Sequence, residues 1–262
     1  MKRITLKSHV SALALAVACT LAASAQEFGY HDPIGPDDWC GLSTDYAACC
    51  GAGGQQSPVD IVADAVQFEK KLPPLRLKQA GVTTLDVVNN GHTVQANVPT
   101  GAGTLTLSGT QYNLLQFHFH TPSEHAVDGE HAALEMHMVH KTADGSQTAV
   151  LGVFILAGKK NKELEKIWSN LPDEEDEEIE VDKFHLHKIL PGKKDSFRYG
   201  GSLTTPPCTE GVSWILLTTP ITMSEEQIEK FQDVFSGPDF PNGNARPTQP
   251  LGDRVITTDA KK

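Results

Sequence analysis

A single, mainly β domain with short peripheral helices is the fold class that this 262-residue chain predicts, and three observations predict it. Residues 82–156 run as short segments rich in Val, Thr, Leu and Phe, broken by turn signals at Asn89-Asn90-Gly91, Asp128-Gly129 and Asp144-Gly145, which is the pattern of antiparallel strands. Helical periodicity is confined to two short stretches. The remainder is interrupted by many of the chain's 16 prolines, and no internal repeat is evident.

The elements follow in order. Basic Lys2, Arg3 and Lys7, an apolar stretch over residues 10–22 and the small residues Ala23, Ser24 and Ala25 make a cleavable secretory signal over residues 1–25. A rival reading takes Val17, Ala18 and Cys19 as a lipoprotein signal. The stretch is short for a membrane span, and no later segment approaches the roughly 20 apolar residues that one needs. Residues 26–262 are then one exported domain, periplasmic or extracellular. Loss of the signal removes three basic residues and no acidic one, moving the formal net charge from -11 to -14. Such a surface repels nucleic acid and anionic membranes. The densest acidic run, residues 173–178 with Glu180, reads as a solvated loop, with a cation-binding or mineral-facing role as the sharper alternative. Four cysteines remain, Cys40, Cys49, Cys50 and Cys208, an even number in an exported chain, so disulfides are expected. A Cys49 bond to adjacent Cys50 is badly strained, so one of the pair should reach Cys208 and the other Cys40. Leu164, Ile167, Trp168 and Leu171 share one helical face. Ile228, Phe231 and Phe235 share another, after the capping-box pair Ser224 and Gln227.

The chemistry is concentrated in two strands. In Gln116-Phe117-His118-Phe119-His120 the alternation puts both histidines on one face and both phenylalanines on the other. In Glu135-Met136-His137-Met138-Val139-His140 the residues Glu135, His137 and Val139 share a face, so His137 can complete a three-histidine site against its neighbour. Three neutral imidazoles leave a fourth tetrahedral position open for water, the arrangement of a catalytic rather than a structural zinc. Gln116 and Glu135 stand where each can fix the tautomer of a ligand. His185-Leu186-His187 is a similar pair with no third partner, and reads as a decoy.

The strings QFHFHTPSEH, EMHMVH, NNGH, QSPVDI, GSLTTPPCTEGVSWILL and RPTQPL, spread from Gln55 to Leu251, resemble the signature segments of bacterial-type α-class carbonic anhydrases. The resemblance implies a central, twisted, mostly antiparallel sheet of about ten strands, with short helices outside. It implies one Zn2+ per chain on His118, His120 and His137, and reversible hydration of carbon dioxide to bicarbonate and a proton by zinc-hydroxide attack. Thr204 would accept a hydrogen bond from the hydroxide and donate one to Glu124. Thr205 would border the bicarbonate and inhibitor position, and sulfonamide-type and anion inhibitors are expected. Val139, Val150, Leu203, Val212 and Trp214 would form the apolar wall for carbon dioxide. His92 falls at the family's proton-shuttle position, whereas His125 and His140 look structural. Phe28 stands where many relatives have Trp, with Tyr30 near the site's water network. By the same likeness Cys50 would be the partner of Cys208, leaving Cys49 for Cys40. A contrasting function, an inactive carbonic-anhydrase-like binding or storage protein, usually goes with loss of a zinc histidine, and this chain keeps all three.

Overall fold

The computed structural model describes residues 27–51 and 53–261, so the secretory segment expected over residues 1–25, Cys19 included, lies outside the described residues. In chain order the strands are β1 (Asp60–Ile61), β2 (Gln67–Phe68), β3 (Arg76–Gln79), β4 (Thr83–Asn89), β5 (Val94–Asn97), β6 (Gly103–Leu107), β7 (Thr110–His120), β8 (Ala126–Val127), β9 (Glu130–His131), β10 (Leu134–Lys141), β11 (Thr148–Ala157), β12 (Glu178–Phe184), β13 (Ser196–Ser202), β14 (Glu210–Met223) and β15 (Thr257–Thr258). The helices are short: α1 (Trp39–Leu42), α2 (Glu165–Trp168) and α3 (Glu225–Val234), with 3-10 turns at Thr44–Cys50 and Leu186–Ile189. Ten strands form one path, β12-β4-β5-β7-β10-β11-β14-β13-β15-β2, with β3 and β6 joined to it through β7. Pairing along it is antiparallel except between β11 and β14 and between β15 and β2.

Period-two alternation divides the long strands into two different faces. Phe117 and Phe119 of β7, Met136 and Met138 of β10, Leu151 and Val153 of β11, and Ile215 and Leu217 of β14 belong to the main core. Helices α2 and α3 close it: Trp168 meets Phe119 edge-on with ring centres 4.9 Å apart and stacks on Phe231 at 5.9 Å. Helix α3 starts at the predicted capping box, in which Gln227 N–H donates to Ser224 Oγ and Ser224 N–H to Gln227 Oε1. Helix α2 is shorter than the periodic stretch suggests, a single turn flanked by buried Leu164 and Leu171. On the opposite face Val150, Val212, Trp214 and Leu216 pack with Val59, Ile61, Tyr199 and Ile256. His118 and His120 of β7 and His137 of β10 project on this second face.

Two sequence expectations need correction. The acidic run is only partly a loop, because Glu178 and Glu180 are exposed positions of strand β12. Ahead of them the loop is clamped to β4, with Asp176 N–H donating to Asn89 O at 2.8 Å. The disulfides join Cys49 to Cys208 and Cys40 to Cys50, not Cys50 to Cys208. Neighbours in a 3-10 turn point about a third of a revolution apart. In Thr44–Cys50 that geometry turns Cys49 inward onto fully buried Cys208 and leaves Cys50 exposed beside Cys40. Distance along the chain cannot distinguish two adjacent cysteines; the direction in which each points does.

Candidate metal centre

Strands β7 and β10 pair antiparallel with His137 opposite His118, and β7 presents His120 two residues on. The three rings lie with centres 4.7 to 5.3 Å apart, and one nitrogen from each falls within 4.8 Å of the others. Which nitrogen that is follows from the other one's partner. Gln116 Oε1 lies 2.8 Å from His118 Nδ1 and the Asn244 carbonyl 2.8 Å from His120 Nδ1. Both oxygens only accept, so each ring donates through Nδ1 and keeps a lone pair on Nε2. His137 is reversed: Nε2 donates to Glu135 Oε1 at 2.9 Å, leaving Nδ1 free. A glycine makes room for this contact. Gly152 lies opposite His137 on β11, and a Cβ there would collide with Leu216 and come within 3.0 Å of Glu135 Oε1.

Burial favours neutral ligands. It holds the His118 pKa well below the ordinary imidazole range, aided by the other two imidazoles, and lowers that of His120. Burial acts the same way on His137, but the charge and hydrogen bond of Glu135 outweigh it and leave the pKa raised. For Glu135 burial pushes upward, yet His125 and His137 beside it hold the carboxyl well below the usual range. His125, Glu135 and His137 are also close enough to share a metal. They satisfy one another instead: Glu135 takes both the N–H and the Nδ1 of His125, whose Nε2 meets Tyr199 Oη at 2.6 Å, and Tyr199 Oη meets Ser57 Oγ at 2.8 Å.

Glu124 supplies the test of fit. Its Oε1 accepts the Arg246 N–H at 2.9 Å, while Oε2 is buried with no hydrogen-bond partner, as is His120 Nε2. That Oε2 lies 3.6 Å from His120 Nε2 and 3.8 Å from His137 Nδ1, the two nitrogens left free by their tautomers. Buried polar atoms left in this way are costly unless a further group joins them. Three neutral imidazoles beside an uncompensated carboxylate fit a divalent cation with an open coordination position, and zinc best. The expected bond from Thr204 to Glu124 is not made: among the described residues none joins them, although Thr204 is buried on the same cavity.

That cavity, about 470 Å³, is lined by His118, His137, Thr204 and Thr205 together with Val139, Val150, Leu203, Val212 and Trp214. All the residues named for the apolar wall thus meet on one surface. Trp214 is fixed by its indole N–H to Ser202 O at 2.9 Å. His92 lies on the far side of His118, where a smaller cavity also touches Tyr30, His120 and Thr205. Its ring stacks on Phe28 with centres 4.0 Å apart, and its Nδ1 is buried without a partner. Burial lowers its pKa, against the opposing pull of Glu27. The decoy pair takes no part: His185 bonds Glu163, and His187 sits in a 3-10 turn.

Sequence reasoning missed Asn244 and Arg246. Asn244 serves His120 through its backbone carbonyl, for which no residue type is a signal. Its side chain ties Thr121 N–H, His92 O and Phe119 O together. Arg246 opens the string RPTQPL, and its charge in the otherwise uncharged stretch 240–252 was the available clue. Its guanidinium binds Gln56 Oε1, Ser57 O and Cys49 O.

Residues 34–260 match the model of the eukaryotic-type carbonic anhydrase family. The chain is 41% identical over 235 residues to a carbonic anhydrase of Klebsiella pneumoniae, covering 88% of this chain and 91% of that one. It is 40% identical over 237 residues to a carbonic anhydrase of Nostoc sp., covering 89% and 86%. Among solved structures it superposes with TM-score 0.83 on the α-carbonic anhydrase of Thermovibrio ammonificans in complex with sulfanilamide, at 40% identity over 89% of this chain and all of that one.

Proposed function

Because the chain belongs to the carbonic anhydrase family, we propose that it interconverts carbon dioxide and bicarbonate at one zinc ion held by His118, His120 and His137. The observation that carries this reading is the convergence of three lone pairs, each fixed by a different hydrogen-bonded partner. When bound, zinc supplies a Lewis-acid centre able to bring the pKa of water from 15.7 to about 7. The chain's own residues do the rest. Gln116, Glu135 and the Asn244 carbonyl hold the rings in their metal-binding tautomers. Val139, Val150, Leu203, Val212 and Trp214 offer carbon dioxide an apolar surface, which suits a molecule with little to hydrogen-bond. Thr204, buried on the cavity, offers its hydroxyl oxygen as a hydrogen-bond acceptor to the reacting oxygen, with Thr205 beside the bicarbonate. His92 carries the released proton toward solvent on its imidazole. The same pocket binds sulfonamides. Residues 1–25 direct export to periplasm or medium, a destination compatible with two disulfides, and residues 26–262 form the catalytic domain.

Stopped-flow carbon dioxide hydration with metal analysis of the same sample tests this. Wild-type protein should carry one zinc and hydrate well above buffer, and His137→Ala should lose most of both, since two imidazoles hold a catalytic ion much less well than three. Stoichiometric zinc without hydration would sink the reading.

A further inference from the structure

We propose that Lys141 draws anions, bicarbonate among them, into the metal cavity and sets their affinity there, an inference that rests on the bicarbonate chemistry assigned above. Alternation along β10 puts Glu135, His137, Val139 and Lys141 on one face. Lys141 lies about 13 Å along the strand from His137 at about 3.3 Å per residue, and its side chain lines the same cavity. Among the residues lining this cavity and the smaller one beyond His118 it is the only lysine or arginine. The carboxylates nearby, Glu210 on the same cavity among them, are bonded to other groups and not to it. Glu210 Oε1 accepts Gln55 N–H at 3.0 Å and Gln56 Nε2–H at 3.1 Å. Asp144 is turned into its own loop by Thr142 and Ser146. No ion pair involves Lys141 among the described residues.

The consequence depends on the charge of the visitor. Carbon dioxide is neutral and indifferent to the field. Bicarbonate approaches a domain of formal net charge -14 once the signal is lost and is repelled by it on average, so a local cation matters where it offsets that field. An ammonium without an ion-pair partner on a concave wall is such a place even with Glu210 on the same cavity, because low-dielectric walls focus its field inward.

Lys141 is exposed at the end of its strand, so its variants should fold. Zinc-loaded wild type, Lys141→Arg, Lys141→Gln and Lys141→Glu are titrated calorimetrically with thiocyanate, and the KM for bicarbonate is measured in parallel. At about 10 mM ionic strength, where screening extends over about 30 Å, affinity should follow side-chain charge. Arg should match Lys, Gln should bind about threefold to tenfold more weakly, and Glu more weakly again. The spread should collapse in about 0.5 M salt of a non-coordinating anion, whereas loss of mere packing would persist at high salt and ignore the sign of the charge. A flat series in a wild type that hydrates carbon dioxide overturns the role of Lys141 alone. A wild type that binds zinc yet neither hydrates nor binds thiocyanate overturns the underlying reading with it.

Discussion

His137 and His140 stand three residues apart on β10, and only the first has a carboxylate beside it. His140 donates Nδ1–H to the Met138 carbonyl at 2.8 Å, and burial pushes its pKa down to about 4. A free imidazole titrates near 6.5, so between those values the unfolded chain binds a proton that the folded chain refuses. The stability from keeping His140 neutral is therefore complete above about pH 6.5 and is lost as the pH falls toward about 4. The gap of about 2.5 units corresponds to about 3 kcal/mol. His140→Gln should flatten that part of the profile, read from urea midpoints between pH 7 and 4; an unchanged slope assigns the acid sensitivity elsewhere. At His92 the expected effect is kinetic. An imidazole near neutrality can both take and release a proton, and Nδ1 is buried without a partner between two cavities. His92→Ala should lower kcat about tenfold in dilute buffer while kcat/KM changes little, because carbon dioxide attack precedes the proton step. Added imidazole should restore turnover. Full turnover without it would return His92 to a surface role.

At the scale of elements, the two disulfides constrain different things. Cys49–Cys208 spans 159 residues and Cys40–Cys50 spans 10. Chain-entropy arguments give roughly 5 and 2.5 kcal/mol respectively. The long link also ties the 3-10 turn Thr44–Cys50 to the segment that carries Thr204 and Thr205 into the cavity. Cys49→Ala/Cys208→Ala should therefore melt well below Cys40→Ala/Cys50→Ala and lose hydration activity before the sheet unfolds. Equal melting temperatures would show that something other than loop-closure entropy governs the effect. Strand faces were legible in the sequence wherever alternation was strict. Phe117 against His118 and Met136 against His137 fix both the core and the candidate ligands of β7 and β10. The disulfide partners were not legible, because pairing depended on the local twist of a single 3-10 turn. The Asn244 carbonyl was invisible for a related reason: a backbone oxygen is chosen by where a loop passes, and any side chain could have stood there. The missing Thr204 to Glu124 bond belongs to the same class, since motif spacing names two residues without giving the rotamer of either.

Across the whole molecule, the sheet separates what folds the chain from what the site needs. The main core, with Phe117, Phe119, Met136, Met138, Leu151 and Leu217, lies on the face closed by α2 and α3. The three histidines lie on the other, beside the smaller cluster of Val150, Val212 and Trp214. This two-sidedness was predictable from period-two alternation, whereas the parallel pairing of β11 with β14 was not. It depends on a chain crossing more than fifty residues long, which local pattern does not report. The separation has a thermodynamic consequence. Removing zinc leaves the apolar burial of the main core untouched, so the metal-free protein should keep its far-ultraviolet circular dichroism and a cooperative melt. It should nonetheless be less stable, because three imidazoles and the Glu124 carboxylate then face one another without a cation, and because a zinc ion held by all three histidines would bind only the folded chain. At a free zinc concentration of about 1,000 times Kd the linkage is about 4.1 kcal/mol. At about 2 to 4 °C per kcal/mol for a domain of this size, chelation should lower Tm by about 8 to 16 °C, reversibly on adding zinc. A metal-free chain without a cooperative transition would mean that the centre is part of the folding core, and the division between the two faces would fail.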